Sequence, residues 1–240
     1  MKKQIVIVGL GKISQEVKFF IDEYELFEVI GYSVNKEYMT ANIHNDGLPI
    51  YPLEELDKYI DKENVYTFVA ASQFNYLHSV KRDLYLYLKE HKYKVANLIS
   101  PKADIHIENI GDGNWINDYA YIHHDAQIGS NNVFRPYSYL AHYSKVGDHN
   151  FIGVRSTIGG SSTIGNQCFI GLSATIINSV KIGDKCIIGA GTLIKKNVAD
   201  YCLVKLSDAT VKVTQYTSTT IENKLAPGLY NNRKYYSTEE

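Results

Sequence analysis

Three histidines, His106, His124 and His142, are separated by intervals of eighteen residues, and His123 and His149 lie close to them. A neutral imidazole accepts a proton near pH 7, which suits it to act as general base when an amine or hydroxyl attacks an activated carbonyl. Several imidazoles together could instead hold zinc. The flanking residues differ in a way that matters for either chemistry: Asp125 follows His124, whereas Tyr143 follows His142. A neighbouring carboxylate raises an imidazole's basicity, and a tyrosine brings no such charge at neutral pH. The three cysteines, Cys168, Cys186 and Cys202, lack zinc-site spacing, and the first two are again eighteen residues apart.

That interval has a structural origin. Every sixth residue from Ile110 to Ile194 is large and apolar, fifteen positions in all. Glycine often follows it, as at Gly111, Gly129, Gly147 and Gly153, and the fourth residue after it is small, as at Ala120, Ser144, Cys168 and Cys186. A short strand places the large and small residues inside, and glycine takes the turn where a side chain would collide or need positive φ. Three hexads make one eighteen-residue coil of a triangular prism, and fifteen make five coils, each burying its apolar row against its neighbours. Periodicity leaves the handedness open. On this ruler Cys168 and Cys186 are core residues. His124 and His142 point outward, two residues past the inward position. His106 joins their column, in a coil where Asp104 breaks the apolar pattern. Asp125 falls one coil before Tyr143, about 4.8 Å along the stack, and is the candidate for the carboxylate missing after His142.

Residues 1–100 change to alternating strands and helices. Strands are expected at Gln4–Val8, Val29–Ser33, Val65–Ala71 and Val95–Ile99. Ser14 is positioned to cap a helix carrying Val17, Phe20, Ile21 and Tyr24, a short helix is expected over Pro52–Ile60, and Leu77, Val80, Leu84 and Leu88 mark another. This is a small Rossmann-like parallel α/β domain ending at Ser100-Pro101. Gly9-Leu10-Gly11-Lys12-Ile13-Ser14 stands where strand meets helix, a place for a tight turn or for a phosphate held by backbone N–H groups. The dinucleotide fingerprint is incomplete: Ser14 stands at the third glycine, and Ser33-Val34-Asn35 offers no acid at the end of the second strand. The expected organisation is an α/β domain over 1–100, a solenoid over 101–199, and a C-terminal cap and polar tail over 200–240, in which Val211–Thr214 alternates like a strand.

The stretch Tyr137-Ser138-Tyr139-Leu140-Ala141-His142-Tyr143-Ser144-Lys145-Val146-Gly147 resembles the active-site segment of bacterial sugar acetyltransferases related to the sialic acid O-acetyltransferase. That group includes the bacillosamine-pathway and perosamine N-acetyltransferases. The resemblance extends to about residue 205 and includes Val95-Ala96-Asn97-Leu98-Ile99-Ser100-Pro101 at the junction. It implies a left-handed parallel β-helix, a homotrimer, acetyl-CoA as co-substrate, and a sugar or nucleotide-sugar acceptor in surface-polysaccharide or glycan synthesis. It also implies direct transfer from the thioester with His142 as base, beside Tyr143 and Asp125. Phe151, Leu172 and Ala190 then fall at acetyl-CoA, Gly160 N–H at the thioester carbonyl, and Lys195 with Lys196 near the CoA phosphates. Acceptor contacts fall to Gly11, Lys12, Ile13, Asn35, Ser72 and His124. His123-His124-Asp125 also looks like the family's histidine–acid signature, but choosing His124 would shift all later repeats by one coil. Two departures bear on the acceptor: Ile13 stands where better-known members carry a histidine, and Val34-Asn35 replaces an acidic pair.

Composition narrows the field further. The 240 residues suffice for two modest domains, and 25 basic against 26 acidic residues, net charge −1, provide no electrostatic surface for nucleic acid. The run Ile5–Val8 is too short for a signal peptide, no run approaches a membrane span, and the odd cysteine count suits a reducing compartment, so a cytoplasmic location is expected. No metal is expected. Two other readings of the prism stand beside acetyl transfer. A γ-type carbonic anhydrase needs two zinc-binding histidines about five residues apart, whereas His142 and His149 are seven apart. A non-enzymatic assembly scaffold or ligand sensor would not bind acetyl-CoA.

Overall fold

The computed structural model describes residues 2–71, 75–108, 110–207 and 210–222. Residues 2–71 and 80–98 make one compact unit, and residues 75–79 belong with those from 99 onward in a second.

The first unit is a five-stranded, wholly parallel sheet of β1 (Gln4–Val8), β2 (Glu28–Val34), β3 (Ile50–Pro52), β4 (Val65–Val69) and β5 (Lys94–Val95), in the order β3-β2-β1-β4-β5. Ile5, Val6, Ile7 and Val8 are buried on both faces, as a central parallel strand requires. Helix α1 (Lys12–Glu23) buries Val17, Phe20 and Ile21, and α2 (Ser79–Glu90) buries Tyr85 and Leu88. The chain runs from β1 to β2 and β3 on one side, then returns to β4 on the other. The strand order therefore reverses beside β1, where parallel α/β sheets open a crevice at their carboxyl ends.

Several local expectations are corrected. Helix α1 begins at Lys12 with Gly11 as N-cap. Ser14 is fully buried in its first turn, its Oγ donating to Gly11 O at 2.5 Å, so it cannot cap from outside. Leu53–Lys58 forms a 3-10 segment. The edge strand β3 escaped the sequence reading because it is three residues long and ends in Pro52, which has no N–H to donate and so suits an edge. The expected strand Val95–Ile99 divides into β5 and Leu98–Ile99, which joins a solenoid sheet.

The second unit is the prism. Two-residue strands stack at eighteen-residue intervals on three faces, pairing Leu140 with Ile158, Val146 with Ile164 and Ile152 with Ile170. The apolar column is buried, with Ile152, Ile158, Ile170, Ile176 and Ile188 at zero exposure, and each such side chain contributes roughly 1.5–3 kcal/mol. Cys168 and Cys186 sit in the inward small-residue column, also at zero exposure. Of the two reasons offered for the repeat glycines, collision is the one that applies. A β-carbon on Gly153 would lie 2.7 Å from Ile170 O and 2.8 Å from Leu172 N in the next coil. Positive φ falls instead two residues later, on Arg155, Tyr143, Ser161 and Ser173 among others.

The ruler slips at the start. Asp104 pairs with Tyr121 and Ile105 with Ile122, an offset of seventeen. His106 N–H therefore donates to Ile122 O as His123 N–H does to Leu140 O, and His106 aligns with His123, not with His124 and His142. The cause is Asp104, which cannot enter the apolar column, so Ile105 takes its place. At the far end, Cys202–Ser207 pairs in parallel with Ile187–Ile188 and antiparallel with Thr210–Gln215.

Candidate active site

His142 lies in the turn between the strands Tyr139–Leu140 and Lys145–Val146. Ala141 and Ser144 turn inward, and the Ser144 hydroxyl donates to Ala141 O, so His142 and Tyr143 between them must face outward. Tyr143 adopts φ 58°, and His142 O accepts the N–H of Ser161 in the next coil at 3.0 Å. These bonds fix the backbone from which the imidazole projects.

Gly160, eighteen residues on, is buried directly beside that ring. A β-carbon there would lie 2.8 Å from His142 Nε2 and 3.0 Å from Cε1, so the imidazole occupies space that any other residue would fill. The Gly160 N–H donates to Asn178 Oδ1, one coil further on, at 3.0 Å. Elsewhere the same position is a ladder: Ser130 N–H donates to Asp148 Oδ1, and Asn166 N–H to Asp184 Oδ1. Only the absence of a side chain at Gly160 frees the room that His142 uses. Sequence reading missed Asn178, although the eighteen-residue ruler passes through it two coils after His142.

Three imidazoles cluster here. The His123 ring lies 4.0 Å from that of His124 and edge-on at 5.4 Å to His142, which meets Tyr143 edge-on at 5.5 Å. His123 Nδ1 is buried without a hydrogen-bond partner among the described residues. Asp125 pairs with His124, Oδ2 to Nε2 at 3.6 Å, and Asp104 with His106 at 2.9 Å. Among the described residues no carboxylate pairs with His142.

The remaining expected residues divide between edges of the prism. Lys195 and Lys196 are exposed on the same edge as His142, Gly160 and Asn178. Leu172, 51% exposed, and Ala190, also exposed, share a column on a different edge, in turns that follow the strands Phe169–Ile170 and Ile187–Ile188. Phe151 is not open to a ligand in the single chain. It is 3% exposed, its ring stacked at 5.0 Å on Phe169 and at 6.0 Å on His78. Gln167 Nε2, donating to Leu77 O at 2.9 Å, ties down the segment that covers it. His149 lies in the turn after that of His142, Nδ1 2.9 Å from Asn131 Nδ2. Among the described residues no three His, Cys, Asp or Glu side chains converge as a metal site would require, and no helix is long and apolar enough to cross a membrane.

In the first unit, Gly9 takes φ 131° and packs so closely on the chain just after β4 that a β-carbon would lie 2.7 Å from Ala70 O. It brings Gly11, Lys12 and Ile13 to the carboxyl end of β1, with Lys12 exposed. Asn35, at the end of β2, donates its amide to Glu54 Oε1 at 3.0 Å. Sequence reading missed Glu54, which carries no motif and reaches this point across nineteen residues. Ser72 lies outside the described residues.

Fold and site together define a two-part architecture, a parallel α/β unit followed by a left-handed hexapeptide-repeat β-helix with an outward histidine held against a repeat glycine. Two family models match within the helix: Bacterial transferase hexapeptide (six repeats) over residues 109–142, and Hexapeptide repeat of succinyl-transferase over residues 162–196. No curated protein sequence matches the chain. Solved structures share the fold. Perosamine N-acetyltransferase from Caulobacter crescentus, a variant with one histidine replaced by asparagine, in complex with CoA and GDP-perosamine, is 20% identical at a TM-score of 0.75, covering 87% of this chain and 96% of that one. The acetyltransferase domain of PglB from Neisseria gonorrhoeae, in complex with acetyl coenzyme A, is 16% identical at 0.72, covering 85% and 96%. WeeI from Acinetobacter baumannii is 18% identical at 0.57, covering 87% and 99%.

Proposed function

We propose that the protein is an acetyl-CoA-dependent sugar acetyltransferase of the sialic acid O-acetyltransferase group. Its acceptor is the amine of a nucleotide-linked amino sugar, or a sugar hydroxyl, in cytoplasmic synthesis of surface polysaccharide or glycan. The observation that carries this reading is the His142 imidazole lying against Gly160: a potential base and a repeat backbone N–H share one edge of the prism.

The reaction needs few parts. As the acceptor attacks the thioester carbonyl, its proton passes to the neutral imidazole of His142, the carbonyl oxygen becomes an oxyanion, and the tetrahedral intermediate expels the CoA thiolate. Gly160 N–H serves the oxyanion, and the thioester carbonyl displaces Asn178 Oδ1 from it. Asp125 contributes its charge through His124, whose ring and that of His142 both touch Tyr143. Leu172 and Ala190 line the acetyl-CoA site, Phe151 supports that wall from beneath, and Lys195 meets the CoA phosphates. Gly11, Lys12, Ile13 and Asn35 are the acceptor contacts assigned to the first unit. The domain division proposed is 1–100, 101–199 and 200–240.

The working form is a homotrimer. Leu172 and Ala190 lie on a different edge of the prism from His142, and residues on two edges of one prism meet across a boundary between chains. Exposed aromatic residues, Tyr119, Tyr137, Tyr139 and Tyr143, crowd the early coils on and beside the face leading to His142, as an interface requires.

The test is thiol release from acetyl-CoA against a panel of UDP-, dTDP- and GDP-linked amino sugars. His142→Ala should lower turnover about 10²- to 10⁴-fold with the fold intact. Near-full activity of that variant would remove His142 from the mechanism, and stoichiometric zinc on the purified protein would favour a carbonic anhydrase instead.

A further inference from the structure

The chain lacks an acid at the end of β2, where mononucleotide-binding parallel sheets place one to accept hydrogen bonds from ribose hydroxyls. The fold restores it from elsewhere. Glu54, in the first turn of the 3-10 segment after β3, lays its carboxylate across the end of β2. Oε1 accepts from Asn35 Nδ2 at 3.0 Å, and Oε2 accepts from the Lys36 N–H at 2.9 Å. With its own backbone N–H as a third donor, the carboxylate keeps about one of its four lone-pair sites open to solvent, since the residue is exposed. Partial burial pushes this carboxyl up, but hydrogen bonds from its own backbone N–H, Lys36 and Asn35 bring it below the ordinary glutamate value, so it is ionised at neutral pH.

A cavity of about 510 Å³ lies along the β3 edge, and its lining includes Lys36, Met39, Asn42, Tyr51, Glu55 and Tyr59. That volume falls within the range of small-ligand sites. The Tyr51 and Tyr59 rings lie 5.2 Å apart at 28°, an aromatic wall on which a flat heterocycle can stack. Lys36 joins the two features, its N–H on Glu54 and its Nζ 3.2 Å from Glu55 on the cavity rim.

We propose that Glu54 accepts the 2′-hydroxyl of a ribonucleoside diphosphate whose base occupies the Tyr51–Tyr59 cavity, so that this chain selects ribo- over 2′-deoxyribonucleotide-linked acceptors. The proposal rests on the reading of the acceptor as nucleotide-linked. It also reassigns Asn35: its amide positions Glu54, and the carboxylate, not the amide, meets the ligand. The replacement of an acidic pair at Val34-Asn35 is then a relocation of charge from one element to another.

Calorimetry on the full chain with UDP, GDP and their 2′-deoxy counterparts tests this without any acetylation step. Wild type should bind UDP or GDP about tenfold more tightly than the matching 2′-deoxynucleotide, as a hydrogen bond to a charged acceptor implies. Glu54→Ala should lose that factor for the ribonucleotide and keep the wild-type affinity for the deoxynucleotide, with an unchanged melting temperature. Glu54→Gln, which keeps size but turns one acceptor into a donor, should fall between. Equal losses for both sugars, or an undiminished ribose preference in Glu54→Ala, would overturn the role of Glu54 while leaving nucleotide binding standing. Absence of binding of either ribonucleotide to wild type would overturn the proposal, and binding of dTDP in that case would leave a nucleotide-linked acceptor standing.

Discussion

Gly160→Ala separates a catalytic placement from an ordinary turn. The added methyl would begin 2.8 Å from His142 Nε2, 3.0 Å from Cε1 and 3.3 Å from Cδ2. Ordinary carbon contacts are about 3.5–4.0 Å, so the ring must retreat by about 0.7–1.2 Å. Gly160 does not require positive φ, and the atoms it would strike belong to the far end of an exposed side chain. The ring can swing away, at a cost below about 1 kcal/mol for a strained rotamer. A melting temperature within about 3 °C of wild type is therefore expected. The chemistry is less forgiving, because a displacement of about 1 Å in a catalytic group can cost about 10²-fold, equivalent to about 2.7 kcal/mol of barrier. The control is Gly153→Ala, whose methyl would strike Ile170 O at 2.7 Å and Gly171 C at 2.8 Å. Backbone in the next coil cannot yield, so that variant should melt earlier. The assay is thiol release at saturating acetyl-CoA, paired with thermal melts. Turnover of Gly160→Ala within threefold of wild type, at unchanged stability, would refute the placement of His142 as base.

Three further outcomes are expected. Asn178→Ala should keep turnover within about fivefold, because it frees the Gly160 N–H at the loss of one neutral hydrogen bond; a fall near 10²-fold in steady-state assays would make the Asn178 amide the oxyanion donor. Asp125→Asn should lower turnover by about three- to tenfold, since the carboxylate that pairs with His124 is lost; turnover equal to wild type in steady-state assays would disconnect Asp125 from the base. Lys81, buried in α2 near the Phe68 ring, has its ammonium pushed down to about 7 by burial. A depressed amine is protonated more readily in the unfolded chain, so stability should rise from pH 7 towards 10, on the order of 3 kcal/mol, and Lys81→Met should flatten that rise in pH-dependent melts.

The six-residue period determined the solenoid, its buried columns and the facing of His142 and Gly160, because a two-residue strand repeated at fixed intervals leaves the chain one way to bury its apolar row. The period could not carry past its own defect: with Asp104 unable to enter the core, Ile105 replaced it and His106 moved out of the His142 column. Exposure at Phe151 was equally beyond it, since the covering segment with His78 comes from a remote part of the sequence. Alternating patterns located β1, β2, β4 and both helices of the first unit but missed β3, too short to show a period and closed by Pro52. The fate of two polar groups was decided only in three dimensions. Gly160 N–H met Asn178 across a coil, and the acid absent from the end of β2 was supplied by Glu54 from the far side of an edge strand. A sequence records which groups exist and how they repeat; which carboxylate reaches which amide is set by chain crossings that bring distant residues within hydrogen-bonding distance.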